Sequence, residues 1–175
     1  MADKTNMLIN DVIVDPKMRE YLYLDYSLDE LLDNLCSLKL DNFGDDSNVP
    51  FTAKIRGYTG ATDKDGSPWL LKDIPDSEIA MHKYQEVAFY MDFLMKTPAA
   101  PTILVKHNEK FYRATKHIQN AMQIGSYNYL EAPYLKMLGN DLVNRWLFFD
   151  EDRNPNNYMV VHDTDSKPYI VVIDY

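Results

Sequence analysis

Residues 148–160 read Phe148-Phe149-Asp150-Glu151-Asp152-Arg153-Asn154-Pro155-Asn156-Asn157-Tyr158-Met159-Val160, and residues 169–175 read Tyr169-Ile170-Val171-Val172-Ile173-Asp174-Tyr175. Three acids, an arginine and three asparagines are crowded between two apolar segments, a composition for which a purely structural loop has little use. Phosphoryl transfer does use such a set: one carboxylate orients the attacking hydroxyl, while an asparagine and a second carboxylate hold magnesium against nucleotide phosphates. Asp152 and Asn157 are five residues apart and Asp174 ends a β-branched strand, so a hairpin between them brings Asn157 and Asp174 to the same end. Taken by itself, the loop also fits a hydrogen-bonded turn or a calcium loop, although the EF-hand spacing is missing.

Upstream, Ser27-Leu28-Asp29-Glu30 reads as a capping box, and leucines at 28, 31, 32, 35 and 38 predict a helix over residues 27–38. Residues 41–50 are a loop by composition. Strands are expected at 51–58 and 69–74, joined by the turn-rich residues 59–68. A helix over 77–96 follows, with Tyr84, Val87, Ala88, Met91, Leu94 and Met95 as its apolar stripe, and Pro98 and Pro101 stop it. Residues 102–105 and 111–115 form a second hairpin around His107-Asn108-Glu109-Lys110. A polar connector, 116–129, leads into a helix over 133–149, and strands at 158–162 and 169–173 end the chain.

The chain has 175 residues, enough for one domain or two small lobes, and 46% hydrophobic residues supply a packed core. Its net charge of −9 argues against a general nucleic-acid binder. The acidity is concentrated in residues 1–50, with 11 Asp/Glu against 4 Lys/Arg, whereas residues 51–140 carry 9 against 11. The single cysteine, Cys36, forms no internal disulfide and, lying among leucines, reads as a small buried hydrophobe. The charged opening lacks a signal-type apolar region and no stretch is apolar enough to span a membrane, so a cytoplasmic location and no integral membrane contact are expected. His82, His107, His117 and His162 are dispersed without metal-ligand spacing, and Ser67 and Ser126 lack a nucleophile context.

Asp152-Arg153-Asn154-Pro155-Asn156-Asn157 followed by Ile173-Asp174 resembles the kinase superfamily. The likeness is to the atypical branch that holds phosphatidylinositol 3- and 4-kinases, actin-fragmin kinase and bacterial HipA-type kinases. The resemblance implies that Asp152 is the catalytic aspartate and that Asn157 and Asp174 hold Mg2+. Asp174 is then the counterpart of the aspartate in the Asp-Phe-Gly motif, with Tyr175 in place of Phe. The order strand, strand, helix, strand, strand is the one a kinase small lobe needs. Lys72, late in its strand, then matches the phosphate-binding lysine, and Glu86 on the next helix its ion-pair partner, with Glu78 as a rival explained equally well by the helix dipole. Gly57 and Gly60 resemble a phosphate-covering loop, with an ordinary hairpin end as the alternative. Lys116, His117 and Ile118 stand where a hinge lines the adenine pocket with backbone groups.

The fold expected is α+β: an acidic extension with an accessory helix (1–50), a small antiparallel-sheet lobe (51–116), and a hinge with the start of a helical lobe (117–175). The function expected is ATP- and magnesium-dependent transfer of a phosphoryl group to a hydroxyl. A protein acceptor is favoured over a lipid or small molecule. Aminoglycoside-type phosphotransferases share the Asp-to-Asn spacing but usually carry His-Gly-Asp where this chain has Asp-Glu-Asp-Arg, and nucleotidyl transfer at the same site is a further alternative. The competing expectation is a non-catalytic pseudokinase or a partner-dependent interaction module. Family members continue past the position of Tyr175 into further helices, so the resemblance implies a large lobe completed by more chain or by a partner. Self-association through the helix bearing Leu142, Val143, Trp146 and Leu147 is expected if it is left uncovered.

Overall fold

The computed structural model describes residues 15–148, 154–162 and 167–173, and the chain forms two units of α+β character. The sheet unit comprises residues 27–87 and 101–117; the other comprises 1–26, 88–100 and 118–175. Of the described residues, 15–26 fall in the second unit and 27–50 in the sheet unit.

α1 (Pro16–Tyr21) belongs to the second unit, and the sheet unit opens on α2 (Leu28–Cys36). The capping box at α2 is complete, with Ser27 accepting from the Glu30 N–H and Glu30 accepting from the Ser27 N–H at 2.7 Å. Leu31 and Leu35 are buried, but Cys36, expected inside, falls on the exposed face. Five antiparallel strands follow: β1 (Leu40–Asp41), β2 (Tyr58–Asp63), β3 (Pro68–Ile74), β4 (Thr102–His107) and β5 (Lys110–Lys116), in the order β1-β2-β3-β5-β4. α3 (Phe51–Ile55) lies between β1 and β2, and α4 (Ile79–Leu94) between β3 and β4.

Of the strand expected over 51–58, residues 51–57 are thus not strand. Pro50 caps a short helix by accepting from the N–H groups of Ala53 and Lys54, and Gly57, at φ +79°, ends it. The strand begins only at Tyr58, consuming half of what reads as a turn, and its hairpin to β3 closes around Asp63. The second hairpin turns at Asn108 and Glu109, both at positive φ, which matches the right-handed twist of the strands it joins. Trp69 and Leu71 are each about 1% exposed; Trp69 is paired with Ala61 and Leu71 with Ala114, itself paired with Ile103, so these buried residues share one face of the sheet.

In the second unit, Asp15 caps α1 by accepting from the Lys17 and Met18 N–H groups, with Pro16 preorganised at the first helical position. That helix was not expected. Tyr169 ties it to a three-stranded sheet by donating to Asp15 at 2.9 Å. The sheet has the order β6-β7-β8, from β6 (Met122–Gln123), β7 (Tyr158–His162) and β8 (Pro168–Val172). β6 lies inside what reads as a featureless connector. The free edge of β8 is covered by residues 98–100: Ala100 donates to Val172, and Val172 donates to Pro98. α5 (Ala132–Phe148) contributes buried Tyr134, Met137 and Asp141.

α4 buries an unexpected face. His82, Phe89, Asp92 and Phe93 are inside, whereas Tyr84, Val87, Met91, Leu94 and Met95 are exposed. No helix among the described residues is long and apolar enough to cross a membrane.

Candidate functional site

The sheet unit aligns Tyr58, Lys72, Arg113 and Leu104 across β2, β3, β5 and β4, because directly paired residues of antiparallel strands share a face. Arg113 is buried and spans two neighbours, donating to the Tyr58 hydroxyl at 2.5 Å and to Gln85 Oε1 of α4 at 2.8 Å. Gln85 Oε1 is also 2.6 Å from His82 Nδ1; since that oxygen only accepts, the imidazole carries its proton on Nδ1. The Lys72 ammonium lies 5.9 Å from the Tyr58 ring centroid. Glu86 accepts from the Leu104 N–H at 3.2 Å, satisfying the outer edge of β4. Glu86 thus reaches the β4 edge and Lys72 the Tyr58 ring, while Glu78 lies 3.8 Å from His82.

Both glycines have a local structural reason. Gly57 supplies the positive φ that ends α3. Gly60 lies in β2, where a Cβ would stand 2.0 Å from the Asp45 carbonyl oxygen, and its own carbonyl accepts from the Gly44 N–H. Close approach of residues 44 and 45 thus requires glycine here irrespective of any phosphate.

The expected hinge is tied into the sheet. Lys116 donates its N–H to Pro101 at 2.8 Å and His117 donates its own to Pro68 at 2.9 Å, so neither donor is directed at a ligand. The Lys116 side chain is buried, with its ammonium 3.9 Å from Asp63 Oδ2. Burial lowers the His117 pKa below its ordinary 6.5, and Ile118 is a core residue of the second unit.

In the second unit, the Asn154 side chain accepts from the Asn156 N–H, shaping the turn that delivers Asn157 into β7. Asn157 is buried, and its carbonyl accepts from the Ile173 N–H at 3.0 Å. Asp152 and Asp174 lie outside the described residues. Among the described residues no group of three His, Cys, Asp or Glu side chains could hold a metal. Sequence reasoning missed Asp141, a buried acid of α5 that accepts from the Tyr158 hydroxyl. Its signal was an isolated carboxylate in a leucine- and methionine-rich helix. A pocket of about 380 Å³ opens beside it, lined by Ile124, Tyr129, Leu138, Gly139, Leu142 and Pro155 among others. Among the described residues its walls carry no charged group, a lining unsuited to phosphate.

No protein-family model, curated protein or solved structure matches this chain.

Proposed function

We propose that the chain is a kinase-like, ATP- and magnesium-dependent phosphotransferase acting on a hydroxyl. The observation that carries this reading is the hydrogen bond from Ile173 N–H to Asn157 O, which draws the ends of β7 and β8 together. In this reading Asp174, next in sequence to Ile173, joins Asn157 in holding the metal. One amide oxygen and one carboxylate, completed by phosphate oxygens and water, form a donor set suited to magnesium. When bound, the metal neutralises charge on the transferring phosphoryl group. Asp152 orients the acceptor hydroxyl and Lys72 interacts with the α/β-phosphates. A small antiparallel sheet with a helix between its third and fourth strands supports the same reading.

A second reading, a non-catalytic binding module of the same descent, is favoured by one specific contact. Glu86 accepts from the Leu104 N–H on β4 while Lys72 lies over the Tyr58 ring. Calorimetry with ATP, with and without magnesium, separates the two. Magnesium-dependent binding that Asp174→Ala abolishes, together with phosphotransfer that Asp152→Asn removes while ATP still binds, supports the enzyme. Binding without transfer supports the module, and no binding at all overturns both.

A further inference from the structure

We propose that the exposed face of α4 is a homodimer interface in which two copies of this helix pair antiparallel. Met81, Tyr84, Val87, Met91, Leu94 and Met95 are between 38% and 75% exposed, with the exposed Lys83 at the edge of the stripe beside Val87. Met81, Tyr84, Ala88, Met91 and Met95 recur three and four residues apart, the spacing of a seam that packs on another helix. From Met81 to Leu94 the stripe lies on one uninterrupted helix, with Met95 in the turn just beyond it, so its alignment from 81 to 94 follows from helix geometry alone.

The size of the stripe and the charges at its two ends point to a second copy as the occupant. The stripe exposes roughly 600 Å², the upper end of what an ordinary monomer shows in one patch. Two of them remove roughly 1,200 Å² from water, the lower bound of a specific interface. A two-fold interface must be self-complementary, and a dyad between Val87 and Ala88 sets Tyr84 against Met91 of the second copy and Met81 against Leu94. The same arrangement brings the exposed Asp76 and Glu78 at the amino end of one helix towards Lys96 at the carboxyl end of the other. It also opposes the helix dipoles. Parallel pairing sets acid on acid and lysine on lysine instead. The inference does not depend on nucleotide chemistry.

Sedimentation equilibrium of the 175-residue chain at about 0.15 M salt, where long-range repulsion between acidic copies is screened, tests it. The expected result is a reversible monomer–dimer equilibrium with a midpoint in the tens of micromolar. Tyr84→Glu combined with Met91→Glu should weaken it at least tenfold while leaving the circular dichroism spectrum and melting temperature unchanged. Because Cys36 is exposed, cross-linking is read in a Cys36→Ser background. There Val87→Cys should form an interchain disulfide and Tyr84→Cys should not, since the antiparallel register separates the two Tyr84 positions by about 10 Å along the axis. A monomer at every concentration, a dimer indifferent to the two glutamates, or a Tyr84→Cys chain that cross-links as readily as Val87→Cys overturns the proposal.

Discussion

The indole Nε1–H of Trp69 donates to Asp63 Oδ2 at 3.1 Å, inside the sheet unit where both residues are buried. The other oxygen of the same carboxylate accepts from the N–H groups of Asp65 and Ser67, closing the hairpin, and Lys116 supplies a buried positive charge nearby. One side chain thus joins a turn, a core aromatic and the end of β5. Asp63→Ala removes the acceptor of three hydrogen bonds and the counter-charge of Lys116, and should destabilise the chain by about 3–5 kcal/mol. Asp63→Asn, which keeps an acceptor, should cost less. Urea denaturation of both variants checks the order.

Gly60→Ala should fail for a packing reason. The new methyl group would meet the Asp45 carbonyl at 2.0 Å, so residues 44 and 45 must move off β2. Gly57→Ala, with open space but a positive φ, should cost about 1–2 kcal/mol. A phosphate-loop role predicts the reverse emphasis: lost nucleotide affinity with stability retained. Thermal melts beside ATP titrations distinguish the two.

Lys72→Met should leave stability within about 1 kcal/mol of the parent, because the side chain is only half-buried and its recorded contact is the Tyr58 ring. If the proposed transfer is correct, the same change should lower its rate about 100-fold or more. Glu86→Gln keeps an acceptor for the Leu104 N–H and should retain stability. Glu86→Ala should lose about 1 kcal/mol through the uncapped strand edge. Paired melting and turnover measurements on the three variants read these effects.

His117 should make the fold acid-sensitive. Desolvation holds its pKa below 6.5, so the unfolded chain takes up a proton near that pH which the folded chain refuses. Its contribution to stability is therefore complete above 6.5 and is lost as pH falls through the lowered value. Between about pH 7.5 and about pH 5.5 the parent should lose more stability than His117→Gln, measured by urea midpoints. Equal losses remove His117 as the cause.

Signals confined to a few neighbouring residues were sufficient in the sequence. The capping box at Ser27 and Glu30, the breaks at Pro98 and Pro101, the Asn108-Glu109 turn and the closing strands at 158–162 and 168–172 depend on bonds between close residues or on simple alternation. Asp15-Pro16 carried an equally local helix-start signal that went unread. The acidic loop and the strand ending in Ile173-Asp174 were legible as a chemical pattern, and the Asn157–Ile173 bond follows from pairing two adjacent strands.

Tertiary structure decided what periodicity leaves open. α4 is apolar on more than one side, so spacing could not choose between the Tyr84–Met91 face and the Phe89–Phe93 face; packing chose the latter and drew His82 and Asp92 inside with it. Residues 51–57 have strand-like composition, yet Pro50 and Gly57 close a helical turn, and β2 starts where it can pair with β3. Glu86 bonds to Leu104, and Lys116 approaches Asp63, across sequence separations that no local pattern records. The sequence could supply the ionisable groups and their order, but which of them meet depends on desolvation: a buried charge or unpaired N–H is costly, which favours the arrangement that sets Glu86 on the Leu104 N–H and Lys116 beside Asp63.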